Sequence, residues 1–209
     1  MKIIDISLEI KPGMITYPGD PLFRIQQIKS LPKDTVTLSE MTMGTHTGTH
    51  VDAKIHINPD GTGVDKIPLD RCYGPCKVLD VTSIKFGSGI TKDDLKAFPI
   101  KHGDILLLKT RNSSRGYSKF FKDFVALALD GAEYLVEKKI KTVGIDYLSI
   151  QPYGTPVCEA HCMLLNNDII VFEGLNLSQV KHGRYLFVGL PLKIQHGDGA
   201  PARAILIEK

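Results

Sequence analysis

The sequence predicts a mixed α/β fold built on a substantial sheet. Three observations lead there. Strand-like patterns crowd the first half of the chain, helix-like and strand-like segments alternate in the second, and 209 residues with 43% hydrophobic and 23% charged content suit one globular domain with a buried core. Taken in order, Lys2 to Ile10 sets Ile4, Ile6 and Leu8 against Ile3, Asp5 and Ser7, the period-two pattern of a half-buried strand. Tyr17-Pro-Gly-Asp-Pro21 can only be a turn, and Phe23 to Ile28 forms a second strand. Thr35 to Ile57, rich in Thr and Val and interrupted by Gly44 and Gly48, is expected to be a long bent strand or hairpin. Strands follow at Cys76 to Val81 and Asp104 to Thr110. Thr91-x-x-Asp94 caps a short helix between them, and Asp130-x-x-Glu133 opens a better one that places Ala132, Leu135, Val136 and Ile140 on one side. A strand at Thr142 to Asp146, a helix at Thr155 to Leu165 and a strand at Ile169 to Phe172 complete the alternation. Two apolar runs, Tyr185 to Leu190 and Ala204 to Ile207, close the chain.

Composition narrows the functional classes. A net charge of +3 with no basic block argues against a nucleic-acid partner, since even Lys138-Lys139 and Lys141 are interrupted by Ile140. The first ten residues carry Asp5, Ser7 and Glu9 where a signal peptide needs an unbroken apolar stretch. No apolar run approaches the roughly 18 residues of a membrane span. The expectation is a cytoplasmic protein with no membrane partner and reduced cysteines. Cys72-x3-Cys76 and Cys158-x3-Cys162 have spacings compatible with a four-Cys zinc, but buried, inert thiols are the better reading, with Cys162 a small hydrophobe inside a helix.

The informative segment is Gly44-Thr-His46-Thr-Gly-Thr-His50-Val-Asp52-Ala-Lys-Ile-His56. An α-helix would scatter these side chains around its cylinder. On a strand, the even offsets between His46, His50, Asp52 and His56 put all four on one face. Fully extended, His46 and His50 would stand about 13 Å apart, too far to share an ion comfortably, so the chain must bend, and Gly48 permits it. Imidazoles with one carboxylate suit Zn²⁺, Mn²⁺ or Fe²⁺, and a coordination position left for water would make such a site catalytic. His102, His182 and His196 each sit beside glycine in a turn and are expected to be exposed and inert.

His46-Thr-Gly-Thr-His50-x-Asp52 with His56 resembles the signature of the cyclase family of metal-dependent hydrolases, which includes bacterial kynurenine formamidase and isatin hydrolase. The resemblance runs through Tyr17-Pro-Gly-Asp-Pro21, Val143-Gly-Ile-Asp146-x-x-Ser149, Ala160-His161-x-x-Leu164-Leu165, Glu173-Gly-Leu-Asn176-Leu177 and Gly197-Asp-Gly-x-Pro201-x-Arg203-Ala204, so it covers nearly the whole chain. It implies one domain over residues 1–209, of the swivelling β/β/α type with a mixed sheet and flanking helices. It further implies that His46, His50 and Asp52 bind one divalent ion and His161 and Glu173 a second, with Asp52 bridging and His56 as the catalytic acid/base. Zinc is the implied metal and manganese the alternative, with one or two ions in each subunit of a homodimer or higher homo-oligomer. The implied reaction is hydrolysis of a small amide, formamide or lactam, with N-formylkynurenine as the best single substrate. The alternative is a non-catalytic metal or small-acid binding protein of the same fold. Two departures bear on specificity. Lys54 stands where the family usually has Pro, which adds a cation beside His56, and Tyr17, a candidate for the substrate pocket, replaces the usual Trp in a chain that has none.

Overall fold

A computed structural model describes residues 1–208. Its strands are β1 Lys2–Asp5, β2 Arg24–Lys29, β3 Leu38–Thr42, β4 His50–Asp52, β5 Tyr73–Asp80, β6 Gly89–Ile90, β7 Ile105–Lys109, β8 Ala126–Leu127, β9 Thr142–Ile145, β10 Ile170–Glu173, β11 Gly183–Pro191 and β12 Gly199–Glu208. The helices are α1 Lys92–Lys96, α2 Asn112–Arg115, α3 Leu129–Glu137 and α4 Ala160–Asn166. The mixed α/β class follows directly. The main sheet runs β1-β12-β11-β5-β7-β9-β10-β4, and β4 pairs with β12 as well, so the sheet curls into a barrel-like ring. The central pairs β5–β7, β7–β9 and β9–β10 are parallel, and the rest are antiparallel.

The apolar runs of the central strands reflect burial on both faces, as expected of parallel strands covered by helices. In β7, Ile105 and Leu107 point into the ring with Phe172, Phe187 and Leu206, whereas Leu106 and Leu108 pack outward with Leu95, Leu135 and Leu164 from the helices. Gly144 of β9 marks a tight point of the ring interior, where a Cβ would come within 2.7 Å of Leu175 and 2.8 Å of Leu107. The capping box of α1 forms as the sequence predicts, with Thr91 and Asp94 each satisfying the other's backbone. At α3 the expected cap does not. Ala128 holds the N-cap position, and Asp130 instead accepts from the backbone N–H of Lys92, tying α3 to α1.

Three expectations are corrected. The Thr35 to Ile57 segment is not one strand: β3 and β4 are separated by turns, with Gly48 at φ +68°, and Lys54–His56 is a 3₁₀ turn. The helix expected from Thr155 starts only at Ala160, because Pro156 and a Cys158–Cys162 disulfide shape the approach to α4. That disulfide also corrects the reading of four reduced cysteines and removes the four-Cys zinc, since only Cys72 and Cys76 are free, both buried. β2 and β3 form a separate two-stranded ribbon whose residues are exposed throughout.

Candidate metal centre

The site forms where the ring closes. β4 lies between β10 and β12, with Glu173 paired to His50 on one side and Gly199 paired to Asp52 on the other. Strand alternation sends Val51 into the ring interior, so His50 and Asp52 face the opposite way, and Val171, two residues before Glu173, packs among the helix-facing residues. The first turn of α4 brings His161 to the same place. His46 reaches it from the turn before β4 and His56 from the 3₁₀ turn after it. The residues named by the even-offset strand argument do come together, but two turns and a short strand gather them.

His46 Nδ1 lies 2.9 Å from Asp52 Oδ1, and His161 Nε2 lies 2.9 Å from Glu173 Oε1 and 3.5 Å from Asp52 Oδ2. His50 Nε2 stands 3.4 Å from Asp52 Oδ1 and 3.5 Å from Glu173 Oε2, distances of an ion pair and longer than a good hydrogen bond. The other ring nitrogen of His50 is fixed by the carbonyl of Gly48 at 2.9 Å. Two groups can each converge on one ion: His46, Asp52 and His56, and His50, Asp52 and Glu173. Asp52 belongs to both. The His56 ring lies tilted against His46 at 4.2 Å and edge-on to His161 at 6.0 Å, centroid to centroid, and its residue is the most exposed of the group.

Electrostatics points to a cation. Burial opposes charge on His50 and His161, yet Asp52 and Glu173 outweigh it and push both imidazoles up to about 10. Asp52 is held well below the usual carboxylate range and Glu173 below its ordinary value, each against the penalty of burial, by the surrounding imidazoles. Partial desolvation of the ring where it meets the cavity wall, reinforced by its neighbours His46 and His161, holds His56 below its ordinary value against the pull of Asp52. Despite these attractions, Nε2 of His50 and Oδ2 of Asp52 are buried without hydrogen-bond partners. Orphaned buried polar atoms are rare and costly, and a nitrogen donor beside a carboxylate oxygen is the donor set that a divalent metal satisfies. The residues fit such an ion.

Beside these groups lies a cavity of about 290 Å³, lined on its far side by Tyr17, Asp20, Leu148, Ser149, Gln151 and Thr155. Tyr17 packs edge-on against Phe120 at 5.4 Å and near Tyr153 at 5.9 Å, which positions its ring as one wall. Burial raises the Asp20 carboxyl above its ordinary value. Lys54 does not serve the site: its Nζ binds Asp168 at 3.0 Å, and the backbone oxygen of Asn166, so no cation is added beside His56. Asp146 is buried away from the cavity and accepts from the hydroxyls and backbone N–H groups of Thr110 and Ser113. His102, His182 and His196 are exposed, as expected. Reasoning from single residues missed Asp20 and Asp198. Both were visible only as members of the two terminal motifs, at Tyr17 to Pro21 and Gly197 to Ala204.

The model of the Cyclase family matches residues 4–152. The kynurenine formamidase of Bacillus anthracis is 34% identical over 207 residues, covering 98% of this chain and 97% of that protein. This chain belongs to the cyclase family. The kynurenine formamidase of Salinibacter ruber is 33% identical over 208 residues, covering 99% of this chain and 97% of its own length. Among solved structures, one described as a predicted metal-dependent hydrolase from Bacillus stearothermophilus is 38% identical, with a TM-score of 0.86 over 98% of this chain and 97% of that one. Isatin hydrolase A from Ralstonia solanacearum shares the fold at a TM-score of 0.86 and 24% identity, over 99% and 92% of the two chains. With a family member's full length matched and six titratable groups converging beside a cavity, cyclase-family chemistry is the frame for what this site does.

Proposed function

We propose that this cyclase-family chain, acting as one unit over residues 1–209, is a metal-dependent amidohydrolase. It opens the C–N bond of a small formamide, amide or lactam, and N-formylkynurenine, cleaved to kynurenine and formate, is the best single substrate. The observation that carries the reading is the convergence of His46, His50 and His161 on the buried carboxylate of Asp52 beside an open cavity, with Glu173 next to His50 and His161 and with His50 Nε2 and Asp52 Oδ2 buried and unpartnered. The naming of full-length relatives as kynurenine formamidases supports the substrate class. His46, His50, Asp52, His161 and Glu173 would hold one or two divalent ions, zinc in first place and manganese in second. Bound there, the metal supplies Lewis acidity toward the substrate carbonyl and acidifies the attacking water.

The chain's own part is to orient and to move a proton. His56 is accessible from the cavity, lies against His46 without being buried with it, and is held below its ordinary pKa, so it is neutral at pH 7 and free to act as a base. It accepts a proton from water as the oxygen attacks the carbonyl carbon, then delivers that proton to the leaving nitrogen as the C–N bond breaks. For a formamide the products are formate and the free amine. Tyr17 and Leu148 supply apolar surface for the body of the substrate, and the smaller Tyr ring leaves room that a Trp would fill.

Two further features belong to this reading. The β2–β3 ribbon, exposed along its whole length, is marginal alone and supports a homodimer in which it packs on a second copy. Among the described residues no helix is long and apolar enough to cross a membrane. His56→Ala tests the assignment. Metal content measured on the purified variant should equal that of the parent, while turnover across a panel of formamides and lactams drops by about 10²–10⁴-fold. Undiminished turnover would remove His56 from the mechanism, and no turnover by the metal-loaded parent on any panel member would favour a binding protein.

A further inference from the structure

The metal assignment leaves unexplained why His46, which comes from a turn and no regular element, should hold one orientation. Its two ring nitrogens face two different carboxylates. Nδ1 lies 2.9 Å from Asp52 Oδ1, and Nε2 lies 3.0 Å from Asp198 Oδ2. Asp198 is itself fixed. The Thr45 hydroxyl donates to the same Oδ2 at 3.2 Å, and the Asp198 carbonyl accepts from the backbone N–H of Ala53 at 2.9 Å. The next residue, Gly199, forms the floor under the ring: a Cβ there would lie 2.8 Å from His46 Cε1, 3.1 Å from Nε2 and 2.9 Å from the Val51 carbonyl oxygen. Thus the seat of His46 is built from residues 152 and 153 positions away, at the start of the strand that closes the ring on β4.

We propose that Asp198 is a positioning residue for the metal centre, acting through His46 and resting on the reading of His46 as a ligand. Nδ1 is the nitrogen that faces Asp52, the carboxylate on which His46, His50 and His161 converge. For Nδ1 to offer a lone pair to an ion, the imidazole must carry its single proton on Nε2. The carboxylate of Asp198 can accept a hydrogen bond and has none to give, so it favours that tautomer and disfavours its alternative. Gly199 then sets the depth to which the ring can settle. A partner that fixes ring orientation and tautomer in this way typically accounts for about 10–100-fold in metal affinity.

Three measurements on the full-length protein test this. Zinc affinity of the parent, Asp198→Ala and Asp198→Asn is determined by chelator competition, alongside urea unfolding of each. The tautomer of His46 in the zinc-loaded parent is read from long-range ¹⁵N–¹H NMR correlations, assigned by their loss in His46→Gln. The expected result is zinc binding weakened about 10–100-fold in Asp198→Ala and less in Asp198→Asn, whose amide oxygen can still accept from Nε2. The His46 signal should show a protonated Nε2 and a bare, metal-shifted Nδ1, which a merely structural role for Asp198 does not require. Parental zinc affinity in both variants, or a His46 protonated on Nδ1, overturns the inference. If Asp198→Ala does not fold, Asp198→Asn decides the affinity question alone. A parent that binds no zinc would instead overturn the metal assignment itself, so the two failures are distinguishable.

Discussion

Gly174→Ala should damage the fold and the site together, by amounts the structure allows to be separated. Gly174 follows Glu173 at the end of β10, and its φ of +65° lies in the left-handed region. A Cβ built there meets the carbonyl oxygen of Gly48 at 2.2 Å and its carbon at 2.8 Å. Both are backbone atoms, and the contact cannot be relieved by rotating a side chain. Reaching the ordinary 3.4 Å requires about 1.2 Å of movement between the end of β10 and the start of β4. The movement is resisted on both sides, because the Thr49 hydroxyl donates to the Gly174 carbonyl at 2.5 Å and the Gly174 N–H donates to the Tyr147 carbonyl at 2.6 Å. A left-handed Ala costs about 1–2 kcal/mol, and the overpacking adds about 1–3 kcal/mol. Glu173 and His50 sit opposite each other across this joint, and a displacement of about 1 Å at a reacting centre costs on the order of 10²-fold in rate. Urea unfolding of the metal-free variant measures the first effect, and zinc titration by chelator competition together with turnover of the zinc-loaded variant measures the second. Gly103→Ala is the control: Gly103 has a φ of +77° with nothing within 4 Å of its Cβ position, so it carries the conformational cost alone. A Gly174→Ala protein no less stable than Gly103→Ala, with parental zinc affinity, would refute the claim that this close approach sets the spacing of the site.

Two other predictions concern charge and assembly. In the metal-free protein His50 and His161 have folded pKa values of about 10 against an ordinary 6.5, so the stability they contribute is complete below pH 6.5 and lost as pH rises toward 10. Asp52 and Glu173 are lowered, so their contribution is present above the ordinary carboxylate range and lost in acid. The urea midpoint of metal-free protein should therefore fall between pH 6 and pH 9, and a midpoint unchanged over that interval would show that the imidazoles are not held protonated. In the β2–β3 ribbon, Ile25 and Met41 are register partners and about half exposed, at 50% and 58%. If the parent is the proposed dimer in light scattering coupled to gel filtration, Ile25→Glu with Met41→Glu should convert it to monomers; an intact dimer would place the interface elsewhere, and a monomeric parent would refute the dimer.

What could be read from the sequence divides along the distance over which each feature is determined. β7, β9 and β10 were legible because burial on both faces writes an apolar run into each strand, as at Ile105 to Leu108. The Thr91–Asp94 cap was legible because both partners lie within one turn. The expected cap at Asp130 failed because its carboxylate is claimed by Lys92, 38 residues earlier, a contact that no local pattern encodes. The same holds at the metal centre. A period-two argument picked out His46, His50, Asp52 and His56, yet only His50 and Asp52 lie on a strand, and that strand is three residues long. Turns at Gly48 and Lys54–His56 compensate for the missing length, which is why the four residues cluster although the expected strand geometry is wrong. His161, Glu173 and Asp198 arrive only because β4 is clasped by β10 and β12, pairings that span well over a hundred residues. A closed sheet makes that non-local register obligatory: once β12 seats Gly199 against Asp52, Asp198 has to fall beside His46, whatever its own neighbours in sequence suggest. A Gly-Asp-Gly segment that looks locally like a solvated turn can thus carry the outward hydrogen bond of a half-buried ring, and ring closure determines which acid is placed there.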